Sequence, residues 1–350
     1  MRPDDEARSR ARGALYGLAI GDALGMPTQM LSRSEIGERW GGLLHGFEPA
    51  PPGHPIAARM PAGAITDDTE QAVLLGRLLV AGHGAVDPRE LAEALVIWER
   101  DMAARGSRDL LGPSTKRAVA ALLAGTPLEE AGASGATNGA AMRIAPVGIM
   151  VPLSLPEPDL STLVDRVVAA SMVTHNTGLA LAGAAAVAAA VSAGISGAPV
   201  AGATAIATAA ARLAAGRGHW VAGADVAARI QWATALIAGR DQAAAAELIY
   251  TLVGTSLATQ ESVPAAFAVL QAVPDDPWQA CLLAASLGGD CDTIAAMAGA
   301  VAGACHGVGA FPPTALAVID AQDLGLTALA DDLYALRHAP GLFRSGARKR

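Results

Sequence analysis

The chain has 350 residues, of which 52% are hydrophobic and 17% charged, with a net charge of −8. So much apolar residue excludes a disordered chain, and the acidic balance excludes a general nucleic-acid binder, which needs a basic face. Aromatics make up only 3% while Ala and Gly abound, which favours closely packed helices over a bulky aromatic core.

The N-terminal "MRPDDEARSRARG" is charged and has no apolar run, so no signal peptide is expected. "ALYGLAIGDALGMPTQ" then has a helical apolar pattern interrupted by Gly21, Asp22 and Gly25. A helical Gly costs about 1 kcal/mol against Ala, so close packing is expected there. Asp22 in such a run needs a partner, for a structural or a functional reason. "TDDTEQAVLLGRLLVAG" reads as a helix that starts on Thr and acids and stops on Gly. "VDPRELAEALVIWERDMAARG" offers Asp87 as N-cap, Pro88 in the first turn, Glu90 three residues after the cap and Gly106 as terminator. Segments 41–64 and 106–146 are rich in Gly and Pro and read as loops. "STLVDRVVAASMVTHNT", "GADVAARIQWATALIAG" and "DPWQACLLAASLGG" have helical apolar spacing.

Between Thr177 and Ala211 nothing is charged. The stretch is mostly Ala and is broken by Gly194, Gly197 and Pro199. It reads as two buried helices with a turn near "GISGAP" rather than a membrane span. Cys281, Cys291 and Cys305 form an odd set without CxxC spacing, the pattern of reduced thiols in a cytoplasmic protein. Alternating strand patterns are scarce, and neither a composition break nor a fixed repeat divides the chain. The expectation is one compact all-α, multi-helix domain over residues 1–350, with function on the loops between helices.

From Asp241 to Leu336 there is no Lys or Arg, yet there are eleven Asp or Glu. Buried carboxylates are costly unless something neutralises them. Two clusters share one grammar of loop, acids, hydroxyl and helix: Thr66, Asp67, Asp68 and Thr69, and then Asp290, Asp292 and Thr293. Acids at a helix start also suit the helix dipole, which alone explains one cluster. Two clusters in one chain favour a joint role. Such hard oxygen ligands suit Mg²⁺, Ca²⁺ or Mn²⁺ rather than zinc. If the two helix starts face each other, four carboxylates and two hydroxyls meet around one or two divalent ions. The segment "GASGATNGAAMRIAPVG" (residues 132–148) is small enough to bring backbone N–H groups to an anion, with Gly135, Thr137, Asn138 and Gly139 as candidate contacts. Arg143 either adds charge there or pairs with a loop carboxylate. His175 in "VTHNTG" is either a capping or core residue or a substrate contact. Trp98, Glu99 and Asp101 share a helix that could receive a guanidinium, although a solvated face weighs more.

Taken together and in order, "GDALGMPTQ", "TDDTEQA", "TNGAAMRIAPVG", "THNTG", "ESVPAAF" and "GGDCDTIAAMAGA" resemble the ADP-ribosylglycohydrolase family over about residues 10–310. That family includes hydrolases that remove ADP-ribose from dinitrogenase reductase and from modified arginine or serine. The resemblance implies an all-α fold with two divalent cations, Mg²⁺ or Mn²⁺. Thr66, Asp67, Asp68 and Asp292 would hold one ion, and Asp290, Asp292 and Thr293 the other. The Asn138 loop and His175 would grip the diphosphate and ribose of ADP-ribose. Asp67, Asp68, Asp290 and Asp292 would carry catalysis. Where the family often has Glu, this chain has Gln29, which can accept a bond or ligate through its carbonyl but cannot act as a base. Cys291 is expected to point away from the ions.

The implied reaction is cation-assisted hydrolysis at C1 of ribose, with an arginine-type N-linked acceptor as first choice. The alternatives are a hydrolase of small N-ribosides or nucleosides, and a non-catalytic, metal-stabilised binding or structural member. Expected partners are ADP-ribose, an ADP-ribosylated protein or a small ribosylated substrate, with neither nucleic acid nor membrane.

Overall fold

The computed structural model describes residues 3–104 and 111–343. Among the described residues there is no β-strand, only isolated bridges pairing Thr137 with Ala258 and Thr177 with His219. The elements that build the site are α1 (Pro3–Gly25), α2 (Asp67–Ala81), α3 (Pro88–Ala104), α4 (Pro113–Leu123), α5 (Gly178–Ile195) and α6 (Cys291–His306). One apolar core runs from Ala11 in α1 to Tyr334 near the C-terminal end.

The centre of the fold is the antiparallel pair α1 and α6. Gly13, Gly17, Gly21 and Gly25 form a stripe at four-residue spacing on α1. They lie against the backbones of Gly303, Gly299, Ala295 and Asp292, one contact per turn. A methyl group on any of the four would fall on the backbone of α6. The entropic cost of glycine in a helix is therefore offset by main-chain contact between the helices. The geometry has a functional result. The C-terminal end of α1, bearing Asp22, is fixed against the N-terminal end of α6, bearing Asp292.

The turn into α6 needs its two glycines. Gly288 and Gly289 have φ of 91° and 74°, a region that other residues rarely adopt. This turn pairs with the chain after α1, where Met30 N donates to Gly289 O (2.7 Å) and Gly289 N to Leu31 O (2.9 Å). Gln29 is thereby held next to Asp290.

Asp87 caps α3 as expected, accepting from Arg89 N at 2.7 Å. The expected terminator Gly106 lies outside the described residues. Helix α5 is long and apolar enough to cross a membrane, yet 94% of it is buried inside the fold. A turn at Ser196–Pro199 leads to a second helix, Val200–Ala214, which packs against it but, contrary to expectation, buries only one face, with Ala201, Ala205, Ala209 and Leu213 exposed. One expectation needs correction. Segment 106–146 is not all loop, because it holds α4. Pro113 opens that helix in the first turn, where a missing N–H costs nothing, and Ala118 and Val119 bury its inner face. Segment 41–64 is irregular throughout.

Candidate active site

Asp22 is fully buried and acts as the N-cap of a different helix. Both of its oxygens accept from Thr66 N (3.1 and 3.0 Å), one from Thr66 Oγ1 (2.7 Å) and the other from Thr69 N (3.1 Å). Thr69 Oγ1 donates to it as well. Thr66 is the N-cap residue of α2, but its own side chain makes no capping bond. Asp22 thus satisfies the orphan donors of α2 from outside and fixes the start of that helix to α1.

The caps bring the two acidic helix starts together. Asp68 Oδ2 accepts from Thr66 Oγ1 (3.4 Å) and from Thr293 Oγ1 of α6 (3.3 Å). Its Oδ1 is buried with no hydrogen-bond partner. Asp290 accepts from Asn138 Nδ2, and Asn138 Nδ2 also donates to Ser262 Oγ (3.0 Å). Asp67 Oδ2 accepts from Gln71 Nε2 at 2.9 Å.

The electrostatics follow from burial. Desolvation pushes Asp68 well above the usual carboxylate range, and the charges of Asp67, Asp292, Asp22 and Asp290 push it further. Burial raises Asp22 to about 6, against the bonds from Thr69 and Thr66 that favour its ionised form. It raises Asp290 to about 6 against bonds from Asn138 and Thr293. Arg143 is fully buried beside this cluster. Desolvation lowers it to about 10, so it stays charged at neutral pH, and Asp67 opposes the shift.

Above these acids opens a cleft of about 250 Å³. Gln29, Asp67, Thr137, Asn138, Asp290 and Asp292 are on its wall, with Gly139 and Thr293 beside them. Thr66 and Asp68 lie beneath its floor. Gly135 and His175 lie behind it. Gly135 packs on the backbone of Thr174 and His175, and its carbonyl accepts from Thr177 Oγ1 (2.6 Å). His175 is fully buried with its Nε2 3.0 Å from Thr137 Oγ1, so Thr137 stands between it and the cleft. A larger cavity of about 560 Å³ lies between α3 and α4, with mainly apolar walls.

Cys291 Sγ lies 3.2 Å from Thr28 Oγ1, on the side facing the interior. Glu99 Oε1 is 3.6 Å from Lys116 Nζ, and Lys116 borders the cleft. Asp101 lies at the surface beside Arg100. Sequence reasoning missed Gln71, Thr174 and Lys116. Gln71 was signalled by its spacing of four from Asp67 on one helix face, and Lys116 by being one of only two lysines.

The donor set is Asp and Thr oxygen, which is the chemistry of a hard cation. Among the described residues no three His, Cys, Asp or Glu side chains form a finished metal-binding arrangement. The acids are drawn together by caps and hydrogen bonds, and the partnerless Asp68 Oδ1 fits a cation better than any apolar neighbour.

The fold and cleft define a class: all-helical proteins that turn two acidic helix starts toward one cleft. The chain belongs to the ADP-ribosylglycohydrolase family, whose profile matches residues 3–342. It is 37% identical over 313 residues to the protein YegU of Escherichia coli (strain K12), covering 89% of this chain and 92% of that one. It is 28% identical to ADP-ribosyl-dinitrogen reductase glycohydrolase of Rhodospirillum rubrum, covering 89% and 90%. It is 31% identical to ADP-ribosylarginine hydrolase Tri1 of Pseudomonas putida (strain GB-1), covering 88% and 74%. A solved structure titled ADP-ribosylglycohydrolase-related protein complex superposes with a TM-score of 0.69 at 25% identity, covering 95% of this chain and 99% of that one.

Proposed function

We propose that this protein hydrolyses a ribosyl glycosidic bond, releasing ADP-ribose from an arginine-type N-linked acceptor with the help of two divalent cations, Mg²⁺ or Mn²⁺. The observation that carries this is the group of five carboxylates gathered at one cleft, four of whose charges bear on Asp68, with Asp68 Oδ1 left without a donor. The names of two relatives, one acting on ADP-ribosylarginine and one on ADP-ribosyl-dinitrogen reductase, support the choice of substrate.

Thr66, Asp67, Asp68 and Asp292 would hold one ion and Asp290, Asp292 and Thr293 the other. Bound cations would supply Lewis acidity toward oxygen and the positive charge that offsets the acids. The residues of the chain do the rest. Asn138 fixes the Asp290 carboxylate, and Gln71 fixes that of Asp67. Thr137 and Asn138 orient the ligand from the loop side. Asp67, at the cleft wall, would take a proton from the attacking water and pass one to the departing guanidine nitrogen as the C1–N bond breaks, and the remaining acids would stabilise positive charge growing at C1 of ribose. The buried free thiols suit a reducing, cytoplasmic setting.

A second reading, hydrolysis of a small N-riboside, draws support from the cleft volume of about 250 Å³, which is below the range usual for larger ligands. The test is one substrate panel. Purified protein with Mg²⁺ or Mn²⁺ is offered ADP-ribosyl-arginine, ADP-ribosyl-serine and nucleosides, beside the Asp292→Ala variant. Cation-dependent release of ADP-ribose from the arginine compound, lost in Asp292→Ala, is expected. Turnover of nucleosides alone favours the second reading, and turnover in excess EDTA overturns the cation assignment.

A further inference from the structure

Behind the cleft runs a chain of buried polar groups, of which the proposed chemistry uses Gln71 but not Arg143, Thr174 or His175. Gln71, which donates to Asp67, accepts from Arg143 Nη1 at Oε1 (3.3 Å). Arg143 Nη2 donates to Thr174 Oγ1 (2.5 Å), and Thr174 Oγ1 lies 2.7 Å from His175 Nδ1. His175 Nε2 then meets Thr137 Oγ1. The two ends, Asp67 and Thr137, border the cleft, and the four residues between them are buried.

Arg143 fixes the orientation of Gln71 and bars the Thr174 proton from its own side, and distance decides the rest. A guanidinium only donates. Gln71 must therefore turn its carbonyl toward Arg143 and its NH₂ toward Asp67. Thr174 Oγ1 has accepted from Arg143, so its own proton is free for His175 Nδ1, since the alternative acceptor, Ser171 O, is farther away at 3.4 Å. Burial, with the charges of Arg143 and Arg117, holds the His175 pKa well below its ordinary value, so the ring is neutral. A neutral imidazole that accepts at Nδ1 carries its proton on Nε2 and donates it to Thr137. Thr137 has then accepted one bond, and its own proton is left to face the cleft.

We propose that Arg143 is a positioning residue that polarises both walls of the cleft. Through Gln71 it holds the Asp67 carboxylate in place, and through Thr174 and His175 it makes the Thr137 hydroxyl a donor to an anionic or hydroxyl-bearing ligand. The identity of that ligand rests on the function proposed above, whereas the polarity of the chain does not.

The test is ¹⁵N NMR of the histidine-labelled protein, with His175 assigned from the signals lost in His175→Gln. The wild type should show a neutral His175 protonated on Nε2 at pH 7. Arg143→Met should release Thr174 to act as an acceptor, so that both tautomers appear. Because that variant removes a buried cation and can fail to fold, Thr174→Val cuts the same arm more gently. It should weaken ADP-ribose binding roughly 3- to 10-fold by calorimetry, the worth of about one hydrogen bond, and Thr174→Ser should restore it. A wild-type His175 protonated on Nδ1 or doubly protonated at pH 7 overturns the proposal, as does a folded Thr174→Val with wild-type affinity. An Nε2-protonated His175 in a protein that binds no ADP-ribose leaves the polarity standing and overturns the proposed function instead.

Discussion

Asp22 gives the most direct measure of how far burial governs this site, and Asp22→Asn is the perturbation. The substitution keeps the size of the side chain and removes its charge. In the native protein burial raises the Asp22 carboxyl from an ordinary 3.8 to about 6. A carboxyl with a raised folded pKa binds its proton more tightly in the native state than in the unfolded one. The stability this adds is fully present below the unfolded value and is lost as pH rises through the folded one. A span of about two units at about 1.4 kcal/mol each makes the loss about 3 kcal/mol between pH 4 and pH 7. Asn does not titrate. The wild type should therefore lose about 3 kcal/mol relative to the variant over that window. Asp68 feels the charge of Asp22, and its relief in the variant acts in the same direction. His54 and His175, both held below their ordinary pKa, act in the opposite direction as pH falls, but they are common to both proteins and cancel. Asn also leaves a backbone N–H of Thr66 or Thr69 without an acceptor, a constant offset of about 1–3 kcal/mol against the variant. Urea unfolding in EDTA at each pH measures the difference. A difference that stays constant within about 0.5 kcal/mol from pH 4 to pH 7 would refute the claim that burial holds Asp22 above its ordinary pKa.

Gly25→Ala would put a methyl onto the Cα of Asp292 and should cost about 3 kcal/mol or more, or prevent folding. Gly37→Ala, a helical site with nothing within 4 Å, should be neutral or add about 0.5–1 kcal/mol; thermal melts of the pair compare the two. Gln29→Glu replaces an amide whose Nε2 is buried without a partner, and should tighten Mn²⁺ roughly tenfold in calorimetry and raise turnover of ADP-ribosyl-serine relative to the arginine compound. An unchanged ratio of kcat/KM would mean that Gln29 is no handicap. Cation binding at pH 5.5 should displace a proton from carboxylates raised to about 6, such as Asp290, and release little at pH 7.5. Calorimetry in two buffers of different ionisation enthalpy reads the number released, and equal release at both pH values counts against these acids as ligands.

Signals within one turn of chain were legible in the sequence. The Asp87 cap of α3, the paired acidic starts of α2 and α6 and the two alanine-rich helices read out of local residue order, although only the first of those two is buried throughout and Val200–Ala214 keeps one face exposed. Relations across the fold did not. Gly21 and Gly25 announced a close approach, but their partners on α6 lie some 270 residues further along the chain, and Gly13 and Gly17 joined the stripe only once that helix was in place. Asp22 plainly needed a partner, yet the donors that satisfy it are 44 and 47 residues away. Helix α4 was hidden because its eleven residues stand among glycines and prolines that read as loop. The depth of His175 depends on Thr137 standing in front of it, which no spacing encodes.

The five acids are not equivalent, and their hydrogen bonds say where positive charge matters most. Asp22 has the donors of Thr66 and Thr69, and Asp290 has Asn138 and Thr293. Both settle near 6 despite complete burial. Asp68 has two hydroxyl contacts beyond 3.2 Å and a bare Oδ1, and it is surrounded by four like charges. Its ionised form is therefore the least favoured of the three, and a proton shared by the cluster is held there most tightly. On the proposed function, the same oxygen is where a divalent cation gains most, because it exchanges one proton for two charges shared among all the neighbours. Arg143 does not fill that role. Its guanidinium donates to Gln71 and Thr174. The fold thus places its buried arginine to orient the walls and leaves the floor to be neutralised by a proton or by a cation.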